Sequence, residues 1–185
     1  MNLENISLEA IEYAKPTSFL TTESIEDRLS PLYQRLKLPF GRIEMQTGVK
    51  ERGIYPGMKP SDISALAAKE LFAKNPSIKP KDIDLLIHAS VCRDFLEPST
   101  ASVVHHHLGL RPECMSFDLS NACLGVVSAI ATAAKMIEAG AIKKALIVTG
   151  ENSLSLLENT MQTLENDSEI TRKGIKKFFA NFTIG

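Results

Sequence analysis

Between residues 61 and 150 the chain alternates helical periodicity with short apolar runs. The stretch "SDISALAAKELFAKN" spaces its apolar residues three and four positions apart, which is typical of a helix with one buried face. The stretch "KPKDIDLLIHAS" then contains an apolar run typical of a strand buried on both faces. Two more such successions follow, in "PSTASVVHHHLGL" with "CMSFDLS" and in "CLGVVSAIATAAKMIEAG" with "KKALIVTGE". Because helices that alternate with buried strands build layered folds, the sequence predicts an α/β fold with a mostly parallel or mixed sheet flanked by helices.

The remaining segments predict further elements. Residues 21–38 have helical spacing, and two alternatives are open: one continuous helix, or a second helix whose first turn contains the interior Pro31. Three glycines and two prolines within residues 47–62 predict a loop with several turns. Residues 5–14 are read as a strand, with a helix left open, and "FFANFTIG" at the end predicts a strand that enters a sheet. The helix over residues 123–140 is apolar on nearly every face, so we expect it to lie deep in the protein.

Composition and charge exclude several classes of function. A chain of 185 residues has room for one domain, which we take as residues 1–185. Lys plus Arg total 21 and Asp plus Glu total 22, a balance that gives no support for a nucleic acid or an anionic membrane as partner. No apolar run approaches the roughly 18 residues needed to span a bilayer. The N-terminus carries acidic residues instead of the positive start of a signal peptide, so we expect a cytoplasmic protein.

The cysteines give one candidate nucleophile. Three cysteines without CxxC spacing argue against a disulfide framework and a zinc site. Cys123 stands where a predicted strand ends and a long helix begins, and the free N–H groups of a helix N-terminus stabilise a thiolate. Its neighbours Ala122 and Gly125 are small, which leaves room for an acyl chain. The alternative is a buried cysteine that packs as a small apolar residue, the interpretation that we give to Cys92 and Cys114.

Glu97 is the second candidate. It lies between a predicted strand and the helix that follows Pro98, and a carboxylate there acts as a base if apolar surroundings raise its pKa. The alternative is a solvated acid near a helix N-terminus. The three histidines at positions 105–107 face different directions on a helix, so no metal site is predicted there. His88 is expected to be a hydrogen-bonded core residue, and no histidine of this chain obviously pairs with Cys123.

The segment "FDLSNACLGVVSAI" resembles the active-site cysteine segment of the thiolase superfamily, in particular its ketoacyl synthase III branch. The stretch "SVCRDFLEPSTASVVHHHLGL", with Glu97 placed 26 positions before the cysteine, resembles the members of that branch that join two acyl chains in bacterial olefin biosynthesis. The likeness extends from about residue 40 to the end of the chain. It implies the N-terminal half of a layered αβαβα fold, so residues 1–185 are expected to stop before the second half of the family's fold.

The resemblance also implies a mechanism. Cys123 would take an acyl group from a first acyl-CoA as a thioester. Glu97, contributed by the neighbouring subunit of a homodimer, would deprotonate a second acyl-CoA for a non-decarboxylative Claisen condensation to a β-keto acid. The implied partners are long-chain acyl-CoA or acyl-carrier thioesters, with no metal and no cofactor. The family's active-site His and Asn come from its second half and have no counterpart in these residues.

Two alternatives remain open. In the first, the second substrate is a malonyl thioester, as in the 3-oxoacyl-acyl carrier protein synthase III enzymes of fatty acid biosynthesis, and decarboxylation makes a glutamate base unnecessary. In the second, the chain is a catalytically silent partner subunit or fragment that keeps a subunit surface without turnover.

Overall fold

The computed structural model describes residues 6–183. The chain divides into two compact units. One contains the described residues up to Ala14 and the segment Gly57–Glu151, and the other contains Lys15–Pro56 and the described residues from Asn152 onwards. The strands are β1 (Ser18–Thr21), β2 (Glu51–Ile54), β3 (Leu85–His88), β4 (Met115–Asp118) and β5 (Ala145–Val148). The helices are α1 (Thr22–Arg28), α2 (Ser30–Arg35), α3 (Arg42–Thr47), α4 (Pro60–Lys74), α5 (Thr100–Leu108), α6 (Gly125–Glu138) and α7 (Leu154–Asn166).

The first unit is built on a three-stranded parallel sheet with the order β4-β3-β5. Leu85 of the central strand β3 lies opposite Met115 of β4 and Ala145 of β5. All four residues of β3 are buried, as the continuous apolar run predicts for a strand covered on both faces. The three predicted strands of residues 61–150 are therefore confirmed, and the α/β class with them.

Helices cover both faces of this sheet. Leu86 of β3 packs in a cluster with Ala65 of α4 and Val104 of α5. Leu85 and Ile87 point to the opposite face, where they pack against α6. This division follows from the alternation of side chains along a strand. The predicted helix after Pro98 is confirmed as α5, which ends at a left-handed Gly109 (φ 58°).

Helix α6 differs from its expected deep burial. It is preceded by a 3₁₀ turn over Ala122–Leu124. Four of its residues are buried: Gly125, Ala129, Ala133 and Ala134. Three large apolar side chains on other parts of its surface are exposed: Val126, Val127 and Ile130. A helix that packs on one face of a sheet buries only the side turned to that sheet, so the rest of an all-round apolar helix stays uncovered within this chain.

The second unit contains an antiparallel pair of strands, β1 and β2, with Ser18 opposite Ile54. Strand β2 lies inside residues 47–62, so the prediction of a loop over that whole segment is wrong. Gly53 makes the pairing possible in this place, because a Cβ there would come within 2.5 Å of the Pro16 ring. Of the two alternatives for residues 21–38, the second helix is confirmed, since Pro31 lies in the first turn of α2.

The two ends of the described chain also differ from their predicted structure. Residues Gly174–Phe182 form a 3₁₀ helix instead of a strand, with Ile175 and Phe182 buried. Their apolar residues recur at helical spacing, which explains the observed form. Residues 6–14 pair with no strand. The predicted strand positions 5, 184 and 185 lie outside the described residues. No helix among residues 6–183 has the length and apolar character that a membrane crossing requires.

Candidate functional site

The backbone around Cys123 has an unusual conformation. The 3₁₀ turn Ala122–Leu124 joins β4 to α6, and Ala122 within it has φ 44°. An L-residue in the left-handed region costs about 1–2 kcal/mol. Such a conformation persists only where the surrounding structure holds it in place, and it is common at functional sites. The turn before α6 is thus held in one particular form.

Two hydrogen bonds anchor this turn to the segments around it. The Leu119 amide donates to the His88 carbonyl oxygen at 2.9 Å, which fixes the chain as it leaves β4. The Asn121 side-chain amide donates to the Ser128 hydroxyl at 2.8 Å, which ties the turn to the second turn of α6. Gly125 is buried against the carbonyl group of Ala89. The turn is therefore anchored on both sides of Cys123.

The three cysteines differ in their surroundings. Cys123 is exposed, Cys92 is half-buried and Cys114 is buried. Burial raises the pKa of the Cys114 thiol, which makes its thiolate scarce at neutral pH. Only the thiol at position 123 combines exposure with a place at the start of a long helix. Among residues 6–183, the Cys123 thiol and the Glu97 carboxylate have neither a hydrogen-bond nor an ion-pair partner.

Glu97 lies on the loop between β3 and α5, which we call the Glu97 loop (residues 91–99). Its tip is both exposed and apolar: Leu96 is 88% exposed, and Phe95 is exposed with its ring 4.7 Å from the Lys59 ammonium nitrogen. Glu97 is exposed beside them, and its peptide bond to Pro98 is cis. The loop therefore presents a carboxylate among uncovered apolar side chains.

Carboxylates hold the Glu97 loop at its start and in its middle. At its start, Glu151 accepts hydrogen bonds from the Val91 amide at 2.8 Å and from the Cys92 amide at 3.2 Å. Burial alone would raise the pKa of the Glu151 carboxyl, but hydrogen bonds from the Cys92 side chain and the Val91 amide lower it overall. In the middle of the loop, the Asp94 carboxylate accepts from the Ser61 amide at 2.9 Å. Hydrogen bonds to the ionised Glu151, which follows β5, and from the first turn of α4 thus hold the loop in place.

Asp118, the last residue of β4, fixes the helix that follows the loop. Its two carboxylate oxygens accept from the Thr100 amide at 2.9 Å and from the Ala101 amide at 2.7 Å. These amides belong to the first turn of α5, where unpaired N–H groups and the helix dipole favour a negative charge. The side chain of Asp118 is 8% exposed. A buried carboxylate here is satisfied by backbone amides.

His88 packs against this carboxylate without bonding to it. The ring is fully buried, and neither of its nitrogens has a hydrogen-bond partner. Its Nδ1 lies 3.7 Å from Oδ1 of Asp118, beyond hydrogen-bond distance. Burial lowers the pKa of His88 despite the opposing charges of Asp118 and Glu151, so the ring is neutral at pH 7. The expectation of a core histidine is confirmed, but the expected hydrogen bond is missing because Asp118 is engaged by α5.

The three histidines at positions 105–107 make contacts that do not involve a metal site. His105 Nε2 lies 3.1 Å from the Arg111 carbonyl oxygen, and His107 Nε2 lies 3.7 Å from Oδ1 of Asp62. Within the described part of the chain, no group of three or more His, Cys, Asp or Glu side chains is arranged to hold a metal ion.

Glu97 and Cys123, the two candidates from the sequence, lie at the same edge of the sheet. The Glu97 loop follows the carboxyl end of β3, and the turn Ala122–Leu124 follows the carboxyl end of the neighbouring β4. This edge is where parallel sheets usually bind ligands. Sequence reasoning missed Asp118 and Glu151, although each is an acid at or just after the end of a strand, a position that could have singled them out.

Comparison with known proteins identifies the family. Residues 43–180 match the family described as Thiolase, N-terminal domain. The chain belongs to the thiolase family. An acyl-CoA:acyl-CoA alkyltransferase of Xanthomonas campestris is 33% identical over 186 residues, which is 100% of this chain and 54% of that protein. A β-ketoacyl-[acyl-carrier-protein] synthase III of Streptococcus mutans is 38% identical over 109 residues, 59% of this chain and 33% of that protein.

Solved structures agree with this thiolase assignment. A crystal structure of a variant of Xanthomonas campestris OleA superposes with a TM-score of 0.92 at 33% identity, covering 100% of this chain and 56% of that one. Another OleA variant, crystallised with cerulenin, gives a TM-score of 0.89 at the same identity over 97% of this chain and 54% of that one. The predicted fold class is confirmed. The chain spans about half the length of the relatives that it matches.

Proposed function

We propose that this chain is the N-terminal half of an acyl-CoA condensing enzyme, with Cys123 as nucleophile and Glu97 of a second subunit as base. The observation that carries the proposal is the placement of an exposed thiol on a strained, doubly anchored turn at the start of α6. The amide hydrogens of a helix N-terminus favour a thiolate, and the same kind of donor stabilises the oxyanion of a thioester intermediate.

The reaction proceeds in two bond exchanges. The Cys123 thiolate attacks the thioester carbonyl of a first long-chain acyl-CoA, the bond from that carbonyl to the CoA sulfur breaks, and CoA leaves as a thiolate that takes a proton from water. Glu97 then takes a proton from the α-carbon of a second acyl-CoA. The resulting carbanion attacks the Cys123 thioester, the carbon–sulfur bond to Cys123 breaks, and the thiolate is restored. Hydrolysis of the β-ketoacyl thioester product gives the β-keto acid.

The Glu97 loop supports a role across a subunit boundary. Its apolar tip is uncovered in this chain, since Leu96 and Phe95 are exposed, while Glu151 and Asp118 hold the segments on either side. A second copy of the chain in a homodimer would cover the tip and surround Glu97 with apolar groups, and removal of water strengthens a carboxylate as a base. The thiolate and the carboxylate supply nucleophile and base, so the proposal requires no metal or cofactor.

The experiment is a mass measurement on the protein incubated with a long-chain acyl-CoA. We expect the mass of one acyl group on the peptide that contains Cys123, and none after Cys123→Ala. The matched control Cys92→Ser should acylate like the wild type. A label on Cys92 or Cys114 in the wild type would overturn the assignment.

A second variant separates the two roles. Glu97→Ala should keep the acyl group on Cys123 but lose the condensation product, measured by chromatography of the released β-keto acid. Asp94 lies on the same loop but accepts a hydrogen bond from Ser61, so it is a poor control. Glu113 is an exposed acid of another loop, and the Glu113→Ala variant should form the condensation product at the wild-type rate. Condensation that survives Glu97→Ala would remove the base from the proposal.

Decarboxylative condensation is the second candidate, favoured by the 38% identity to a synthase III over 109 residues. There a malonyl thioester supplies the carbanion by loss of carbon dioxide. Turnover that requires a malonyl thioester and is insensitive to Glu97→Ala would select this candidate. A silent subunit, the remaining alternative, would show no acylation of Cys123 by either donor.

A further inference from the structure

The Glu97 loop with α5 and the turn around Cys123 are both anchored at the carboxyl end of β3, which is buried. The backbone carbonyl of His88 accepts from the Leu119 amide, four positions before Cys123. The ring of the same residue lies against Asp118, whose carboxylate holds the Thr100 and Ala101 amides, three and four positions after Glu97. The segments that carry both candidate catalytic residues are thus bonded at this one junction.

We infer that Asp118 is a positioning residue that couples the Glu97 loop to the Cys123 turn, with the buried His88 ring closing the inner side of its carboxylate. This inference rests on the proposed function for its meaning in catalysis. Asp118 touches neither thioester nor reacting atoms. It acts through α5 on Glu97 and through the end of β4 on Cys123.

The geometry favours coupling over simple helix capping. An ordinary capping side chain lies next to its own helix in sequence, whereas Asp118 lies 17 and 18 positions away from the amides that it holds. Its side chain is 8% exposed and its inner neighbour His88 is fully buried, so water is largely excluded from the carboxylate. Hydrogen bonds to a charged group are stronger and shorter than neutral ones, and they are poorly replaced once water is excluded.

The charged groups around the ring belong to the same loop system. Asp118 of β4, Glu151 after β5, and Asp94 with Arg93 of the Glu97 loop all act on His88 electrostatically. Three of these four, Asp118, Glu151 and Asp94, are the carboxylates that hold the loop or α5. A neutral, unbonded ring leaves each of them free for its backbone amides. The junction therefore fixes the position of the Glu97 loop relative to the turn Ala122–Leu124.

Amide hydrogen exchange of Asp118→Asn tests the coupling directly. The loss of charge should speed exchange of the Thr100 and Ala101 amides about tenfold or more. Coupling predicts a similar acceleration for the amides of residues 119–124, around Cys123. The control is Asp167→Asn, which removes a carboxylate that accepts from the Glu169 amide after the end of α7. That variant should leave both segments unchanged. Acceleration confined to α5 would reduce Asp118 to a helix cap and overturn the inference.

The wild-type protein provides a second test if Asp118→Asn does not fold. In native-state exchange at rising denaturant, the Thr100 and Ala101 amides and those of residues 119–124 should open together, with the same dependence on denaturant. Separate openings would contradict the coupling.

An activity readout distinguishes this inference from the proposed function. Well below its melting temperature, Asp118→Asn should lower both the rate of Cys123 acylation and the rate of condensation about tenfold, whereas a purely structural role would change only the melting temperature. Asp118→Glu should restore the melting temperature more fully than the acylation and condensation rates. The longer side chain restores the negative charge but places the carboxylate one methylene group further from the backbone. If exchange is coupled but the wild type never acylates, the positioning role stands and the proposed function fails. If the wild type condenses and Asp118→Asn condenses equally well, the positioning role fails.

Discussion

The Nδ1 atom of His88 lies 3.7 Å from Oδ1 of Asp118 at the carboxyl ends of β3 and β4, and no hydrogen bond joins the two side chains. The ring is thereby buried as an unpaired polar group. Burial lowers the pKa of His88 below its usual value of about 6.5. This relationship makes the stability of the fold depend on pH.

The first prediction concerns that dependence. A histidine whose folded-state pKa is lowered contributes stability above about pH 6.5, and this contribution is lost as pH falls towards the folded-state pKa. We expect His88→Phe to flatten the fall in the free energy of unfolding between pH 7 and pH 5, measured by denaturant unfolding at each pH. At pH 7 the variant should be at least as stable as the wild type, because an apolar ring replaces an unpaired polar one. The exposed His106 supplies the control, and His106→Gln should keep the wild-type slope.

The second prediction concerns the strained turn before α6. Ala122→Gly should leave the free energy of unfolding unchanged or raise it by up to about 1 kcal/mol, because glycine adopts the left-handed region without a Cβ clash. Ala122→Val should lower it by about 1 kcal/mol or more, since a β-branched residue is poorly tolerated there. The same Ala-to-Gly change at Ala131, inside α6, should cost about 1 kcal/mol. A stabilising effect of Ala122→Val would contradict the observed conformation.

The third prediction concerns the order in which the thiols react. With limiting iodoacetamide under native conditions, Cys123 should be modified first, since it is exposed, and Cys114 last, since it is buried with a raised pKa. Cys92 should be intermediate, because its half-buried thiol donates to the Glu151 carboxylate. Peptide mass spectrometry at several times measures the three rates, and unfolding in denaturant should make them similar. Modification of Cys114 ahead of Cys123 would be the contrary result.

The fourth prediction concerns the contact between the end of β5 and the start of α4. A Cβ at Gly150 would collide with the Pro60 carbonyl oxygen and come within 2.6 Å of the Ser64 hydroxyl. Because backbone cannot move aside cheaply, Gly150→Ala should lower the free energy of unfolding by about 1–3 kcal/mol. Gly125→Ala is the matched control. Its Cβ would meet Ala89 at 3.6 Å, an ordinary contact, so this change should be neutral or stabilising. Equal effects of the two substitutions would contradict the packing.

The alternation of periodicities was sufficient to predict α4, β3, α5, β4, α6 and β5 in order, because each of these elements has its own local signature. In contrast, β2 was hidden in a segment rich in Gly and Pro, because its pairing with β1 depends on residues 30 to 36 positions away. The final 3₁₀ helix shows the reverse error, in which an aromatic run suggested a strand although its spacing was helical.

For the candidate site, the sequence alone determined that a cysteine stands between a strand and a long helix, and that an acid precedes Pro98. These are facts of order along the chain, and local pattern is enough to read them. Tertiary structure alone decided that Cys123 is exposed while Cys114 is buried, that part of α6 stays uncovered, and that Asp118 and Glu151 hold segments distant in sequence. The physical reason is that burial and hydrogen-bond partners depend on which strands become neighbours, and a strand's own residues do not encode its neighbours.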